Sequence, residues 1–285
     1  MFYLLTVVLA WGLTWPVNKL ILSSLSSLWL VALRSIVGTL ALFALAAALG
    51  RLRRPPRADV PVMLSLALLH MVGFGVFAAW GLRLVPTGRS VVLAYTTPLW
   101  VAPGAALFLG ERLTLRRIVG VLLGLLGLAA LFNPLAFDWG DHRAILGNAS
   151  VLLAALLWAG SILHSRGHRW HTAAFDLVPW SMLLATVLVT AVALAIDGPP
   201  AAAWDARLVV LLLYAGIPGT AVAYWAMAMA SRALPAVTTS LGLLAAPVLS
   251  VIVATLWLGE PITLSLLAAI VLILGGVALG ATGER

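Results

Sequence analysis

Leu109-Gly110-Glu111-Arg112-Leu113-Thr114-Leu115 and Leu258-Gly259-Glu260-Pro261-Ile262-Thr263-Leu264 are heptapeptides identical at five of seven positions, 149 residues apart. At the same offset Arg83 meets Arg232, Pro86 meets Pro235 and Pro98 meets Pro247. A single offset shared by all of these features points to an internal duplication. Around the two copies the chain breaks into apolar runs of about 20 residues, the length that crosses a hydrocarbon core as a helix. Ten such runs are predicted: 2–22, 27–49, 60–82, 88–109, 114–133, 146–165, 175–196, 207–230, 235–258 and 263–282. Five belong to a first half, 1–134, and five to a second, 135–285. Five is odd, so the second half enters the bilayer upside down relative to the first. Inverted repeats of this kind build secondary transporters, with the substrate site near the midplane between the halves. The expected fold is therefore an all-α membrane protein of ten transmembrane helices in two inverted five-helix repeats.

Composition agrees. Of 285 residues, 63% are hydrophobic and 9% charged, and the mean hydropathy is +1.12. Soluble domains carry roughly 25% charged residues. The shortage is explained if lipid is the solvent for most of the surface. The net charge of +8 sits in short gaps between apolar runs, which reads as membrane topology and not as nucleic-acid binding. With the N-terminus inside, the inner loops hold eleven Arg and the outer loops four. Both termini are thus expected in the cytoplasm, in a bacterial inner membrane. The run from Phe2 to Leu22 lacks a basic leader and holds Pro16 and Lys19, so it reads as a first span and not as a cleaved signal peptide. There is no cysteine, no G-x-x-x-x-G-K-[ST] phosphate loop and no G-x-S-x-G nucleophile motif. No cofactor and no metal site is expected. The partners expected are a small-molecule substrate and membrane lipid.

Ten spans in two five-span repeats, each with a mid-span proline and a closing Gly-Glu, resemble the drug/metabolite transporter superfamily. The similarity is to its EamA-type exporters, and within them to the YddG-type aromatic amino-acid exporters. The opening Trp11-Gly12-Leu13-Thr14-Trp15-Pro16-Val17-Asn18-Lys19 also fits that family. The resemblance covers essentially the whole chain. It implies export of amino acids or related metabolites by alternating access, and no enzymatic activity. Two other readings fit the composition: an intramembrane enzyme acting on lipid, and a non-transporting scaffold.

Several residues are candidates for a substrate site. Trp11, Trp15 and Asn18 lie at 0, +4 and +7, one helical face, too deep for an interfacial aromatic belt. Two indoles and a carboxamide there can stack on a planar solute and hydrogen-bond its polar end. His70 lies mid-span, with Phe74 and Phe77 at +4 and +7, and an ionisable group at that depth is a functional candidate. Tyr95, Trp100 and Trp158 complete the expected cavity, lined by spans 1, 3, 4, 6, 8 and 9. Pro98, Pro247 and Pro218 (within Gly216-Ile217-Pro218-Gly219) are expected hinges, since a mid-span proline frees a carbonyl on the preceding turn. Lys19 is expected to snorkel, and Arg34 serves equally as helix-packing glue or as a partner for a substrate carboxylate. None of the nine acidic residues lies mid-span, which disfavours a cationic-drug pump and fits a neutral or zwitterionic solute. Glu111 and Glu260 read as structural. His164, His168 and His171 read as solvated, without metal spacing.

Overall fold

A computed structural model describes residues 1–112, 114–132, 140–234 and 236–282, and every regular element among them is helical. In chain order these are α1 (Phe2–Ile21), α2 (Ser27–Ala48), α3 (Val60–Ser65), a π-helical segment Leu66–Phe74, α4 (Gly75–Leu84), α5 (Thr87–Ala94), α6 (Thr97–Leu109) and α7 (Leu115–Phe132). Then follow α8 (His142–Gly167), α9 (Ala174–Asp197), α10 (Ala206–Gly216), a second π-helical segment Ile217–Val222, α11 (Ala223–Ala233), α12 (Ala236–Leu243), α13 (Ala245–Leu258) and α14 (Leu264–Ala281). Nine helical stretches among the described residues are long and apolar enough to cross a membrane. The eighteen-residue α7 is a further apolar helix, packed along α14. Pro235 and the junction at 134–135 lie outside the described residues.

The polar residues of the loops start and stop these helices. Ser26, Asp141, Asp205 and Thr263 accept hydrogen bonds from the first free N–H groups of α2, α8, α10 and α14, the four groups that a helix leaves unpaired at its start. Gly110 and Gly259 end α6 and α13 with nearly identical left-handed backbones, φ 68° and ψ 18° against φ 68° and ψ 20°. A side chain would strain both turns.

The 149-residue offset recurs in the backbone. The break at Tyr95 and Thr96, between α5 and α6, meets the break at Leu244 between α12 and α13. The π-helical segments overlap at the same offset. Pro98 and Pro247 are not kinks inside continuous helices. Each lies in the first turn of a second half-helix, where a missing N–H costs no intrahelical bond.

Large apolar side chains point both ways. Ile21, Leu30, Leu42, Leu82 and Ile273 are fully buried, whereas Leu107, Phe108, Leu256, Leu264 and Val271 are mostly exposed. An apolar exterior over an apolar core is the pattern of a multi-pass membrane protein. Where helices approach most closely, glycine permits it. A Cβ on Gly276 of α14 would lie 2.4 Å from the Gly120 carbonyl oxygen of α7, and one on Gly120 would lie 2.5 Å from that of Gly276, the small-residue contact of membrane helix pairs.

Candidate functional site

An aromatic box lies among α1, the first π segment, α8 and the α10–α11 region. The His70 ring stacks on the Trp158 indole with centroids 5.2 Å apart and planes 8° off parallel. Phe74 stands 5.1 Å from Trp158 and 5.9 Å from His70. Tyr224 meets His70 at 6.0 Å and Trp11 at 6.3 Å, both edge-on, and Trp15 meets Phe74 edge-on at 6.4 Å. These spacings suit aromatic pairs.

The box lines a cavity of about 110 Å³ whose walls include Trp11, Thr14, Trp15, Asn18, Arg34, Ser35, His70, Phe74, Tyr95, Trp158, Thr220 and Tyr224. A second compartment of about 380 Å³ shares Trp11, Tyr95 and Trp158 with the first and runs past Pro98 to Glu111, Arg117, Arg166 and Ala281. The shared aromatics therefore stand between an inner chamber and a passage that reaches the Glu111 end of the bundle.

At the other end the helices are fastened. The Glu260 carboxylate accepts hydrogen bonds from Thr87 N–H (2.7 Å) and Gly88 N–H (3.0 Å), the first residues of α5. A carboxylate there satisfies two free donors and meets the positive end of the helix dipole. Lys19 does not snorkel. Its Nζ donates to the carbonyls of Leu82 (2.6 Å) and Val85 (2.9 Å) at the end of α4. Glu111 sits differently from Glu260: it pairs with Arg117 (3.1 Å) and Arg166 (2.6 Å).

The structure brings Trp11, Trp15, Asn18, His70, Phe74, Tyr95 and Trp158 to the inner chamber. Phe77 and Trp100 line neither compartment. For Phe77 the reason is the π-helical segment Leu66–Phe74, whose wider turns advance the helix face by about one residue. Ala78 then takes the place that regular helical spacing gives to Phe77. Trp100 follows the break at Tyr95 and turns its indole N–H onto Thr96 Oγ1 at 3.1 Å. Pro98 lines the outer passage, Pro218 opens the second π segment, and Pro247 is buried in α13.

Span 2 contributes more than its sequence pattern indicates. Arg34 and Ser35 face the chamber, and the Arg34 Nε is enclosed without a hydrogen-bond partner. The acidic residues in ion pairs among the described residues are Asp59, Glu111 and Asp176, none paired with Arg34. Asn18 Oδ1 is likewise enclosed and unpartnered. A guanidinium and a carboxamide thus face an aromatic chamber with hydrogen-bonding capacity in hand.

Residues 1–133 and 145–282 each match the model of the EamA-like transporter family. The chain belongs to that family. It is 30% identical over 299 residues to a Salmonella typhimurium protein named "Probable amino-acid metabolite efflux pump", covering 100% of this chain and 95% of the relative. It is 25% identical over 274 residues to the Bacillus subtilis transporter YoaV, covering 96% and 94%. A Streptantibioticus cattleyicolor protein named "Probable terminal-alkyne amino-acid exporter" is 28% identical over 265 residues, covering 90% and 84%. A solved crystal structure superimposes over all of this chain and 97% of its own, with a TM-score of 0.70 at 22% identity, a likeness of fold. The family and these relatives are named as transporters.

Proposed function

We propose that this protein exports aromatic or other neutral amino acids, or similar carboxylate-bearing small metabolites, by alternating access. The observation that carries the proposal is the Arg34 guanidinium, facing an aromatic chamber with its Nε unpartnered. A planar guanidinium holds a carboxylate with two parallel hydrogen bonds. Trp158, Phe74 and Trp15 supply stacking faces for an apolar side chain. Asn18 Oδ1 is placed to accept from the solute's ammonium group. The names of the relatives, a probable amino-acid metabolite efflux pump and a probable terminal-alkyne amino-acid exporter, point the same way.

Two inverted five-helix repeats, 1–134 and 135–285, give ten helices and a symmetric means of opening. Glu260 caps α5 at Thr87 and Gly88. By the 149-residue offset, Glu111 would cap α12 at Ala236 and Val237. In this structure Glu111 pairs with Arg117 and Arg166, and the passage beside it reaches the chamber. Glu260 fastens one end, and a passage leads to the chamber from the other. Exchange of the latch, from Glu260 on α5 to Glu111 on α12, would open the opposite end. Pro98, Pro218 and Pro247 lie at the helix breaks that such a rocking motion would use. The positive-inside pattern assigns the Glu111 end to the cytoplasm, so the arrangement is inward-facing and ready to load.

The test is uptake into proteoliposomes of purified protein, using radiolabelled Phe, Trp and Thr and a cationic dye, with and without a pH gradient. Saturable flux of the amino acids without flux of the dye is expected. Flux of the dye alone would overturn the proposal.

A further inference from the structure

Where α8 passes into α9, the loop turns back onto the start of α3. Asp59, immediately before α3, is fully buried. Its Oδ2 accepts from Thr172 N–H (3.0 Å) and the Thr172 hydroxyl (2.8 Å), and its Oδ1 from His171 N–H (3.1 Å). These donors fix the orientation of the carboxylate. Oδ1 then faces two imidazole nitrogens at once, His168 Nε2 at 2.9 Å and His171 Nδ1 at 3.2 Å. The three donor atoms all lie within 4.8 Å of one another.

We propose that Asp59, His168 and His171 form a binding site for a divalent transition metal of the zinc class, which clamps the α8–α9 loop to the start of α3. The donor set is two imidazoles and a carboxylate, a combination suited to zinc and its neighbours. Bonds of about 2.0–2.1 Å in a tetrahedral site place donor atoms roughly 3.3 Å apart. The two oxygen–nitrogen spacings of 2.9 and 3.2 Å need a few tenths of an ångström of expansion, the two nitrogens lie within 4.8 Å of each other, and the loop that must adjust lies at the surface, with His171 half-exposed. Each ring presents a lone pair to the metal once the proton on that nitrogen leaves or moves to the other ring nitrogen. The Thr172 and His171 donors hold the carboxylate as outer partners hold ligands in metal sites generally. The exposure of His171 would let a solvent ligand complete the coordination. His164 is not among the three converging donors. Arg166, the nearest cation on α8 in sequence, is engaged with Glu111, while Arg57 and Arg169 flank the cluster on its own segments. The site does not depend on what passes through the central chamber.

The experiment is Co2+ titration of untagged, chelator-stripped full-length protein in detergent, read by the visible d–d absorption of tetrahedral cobalt and reversed by Zn2+. One equivalent per chain is expected. His168→Ala and His171→Ala should each weaken binding by at least tenfold, and His164→Ala should leave it unchanged. As a second readout, Zn2+ should slow tryptic cleavage after the exposed Arg169 in the wild type but not in His168→Ala, which keeps the Thr172 donors to Asp59 and so the fold of the loop. No cobalt band, or binding that persists in both His168→Ala and His171→Ala, would overturn the site.

Discussion

Replacing Glu260 by Gln should loosen the end of the bundle where Glu260 caps α5. Glu260 presents two carboxylate oxygens to two N–H groups of α5. Glutamine offers one carbonyl oxygen and no charge. A hydrogen bond to a charged group is worth about 1.5–3 kcal/mol against about 0.5–1.5 for a neutral one, and the helix-dipole contribution adds about 0.3–1 kcal/mol. One bond lost, one weakened and the dipole contribution together would cost about 3–5 kcal/mol if enclosed. Glu260 is partly exposed, and screening reduces this to about 1–2 kcal/mol, a shift of roughly 5- to 30-fold in the balance between latched and open forms. The chain contains no cysteine, so a single introduced thiol reports cleanly. Ser90 is a suitable place, one turn into α5, fully buried and with its hydroxyl unpartnered, and cysteine is nearly its isostere. In nanodiscs, maleimide labelling of Ser90→Cys should accelerate by that factor when Glu260→Gln is added. Unchanged labelling in a folded double variant would refute the latch.

Three further outcomes follow from the same geometry. Trp158→Ala removes the stacking partner of His70 and Phe74 and a wall common to both compartments; KM for an aromatic solute should rise about tenfold, from about 0.5–1.5 kcal/mol per lost ring contact, measured by proteoliposome flux. Trp100→Phe, which touches neither compartment, should leave KM within about twofold in the same assay. Gly276→Leu forces a side chain against the Gly120 backbone and should lower the thermal midpoint in detergent, since overpacking costs about 1–3 kcal/mol; an unchanged midpoint would mean that α7 and α14 are not held by this contact.

Much of the site was legible because it is local. Trp11, Trp15 and Asn18 share a face of one regular helix, and all three reach the chamber. The same spacing applied to His70, Phe74 and Phe77 fails at its third member, because periodicity assumes 3.6 residues per turn and the backbone there is π-helical. Gly73 and Gly75 flank Phe74, a hint of irregularity but not of its kind. Pro98 marks a discontinuity, yet only the backbone places the break at Tyr95 and Thr96. The Asp59 cluster was invisible: its carboxylate and imidazoles are more than one hundred residues apart, and no local pattern joins them. Arg34 stood out as a cation within a span, but whether it serves packing or a solute depends on its neighbours, and those are supplied by other helices.

The most direct measurement compares proteoliposome flux of phenylalanine with that of phenethylamine, which keeps the ring and amine but lacks the carboxylate, in the wild type and in Arg34→Gln. Losing a charge-assisted bidentate contact of about 1.5–3 kcal/mol should make the wild type prefer phenylalanine by roughly 10- to 100-fold, and Arg34→Gln should erase that preference while the protein stays folded. Equal flux of the two solutes in the wild type, or a preference that survives Arg34→Gln, would contradict a carboxylate held by Arg34.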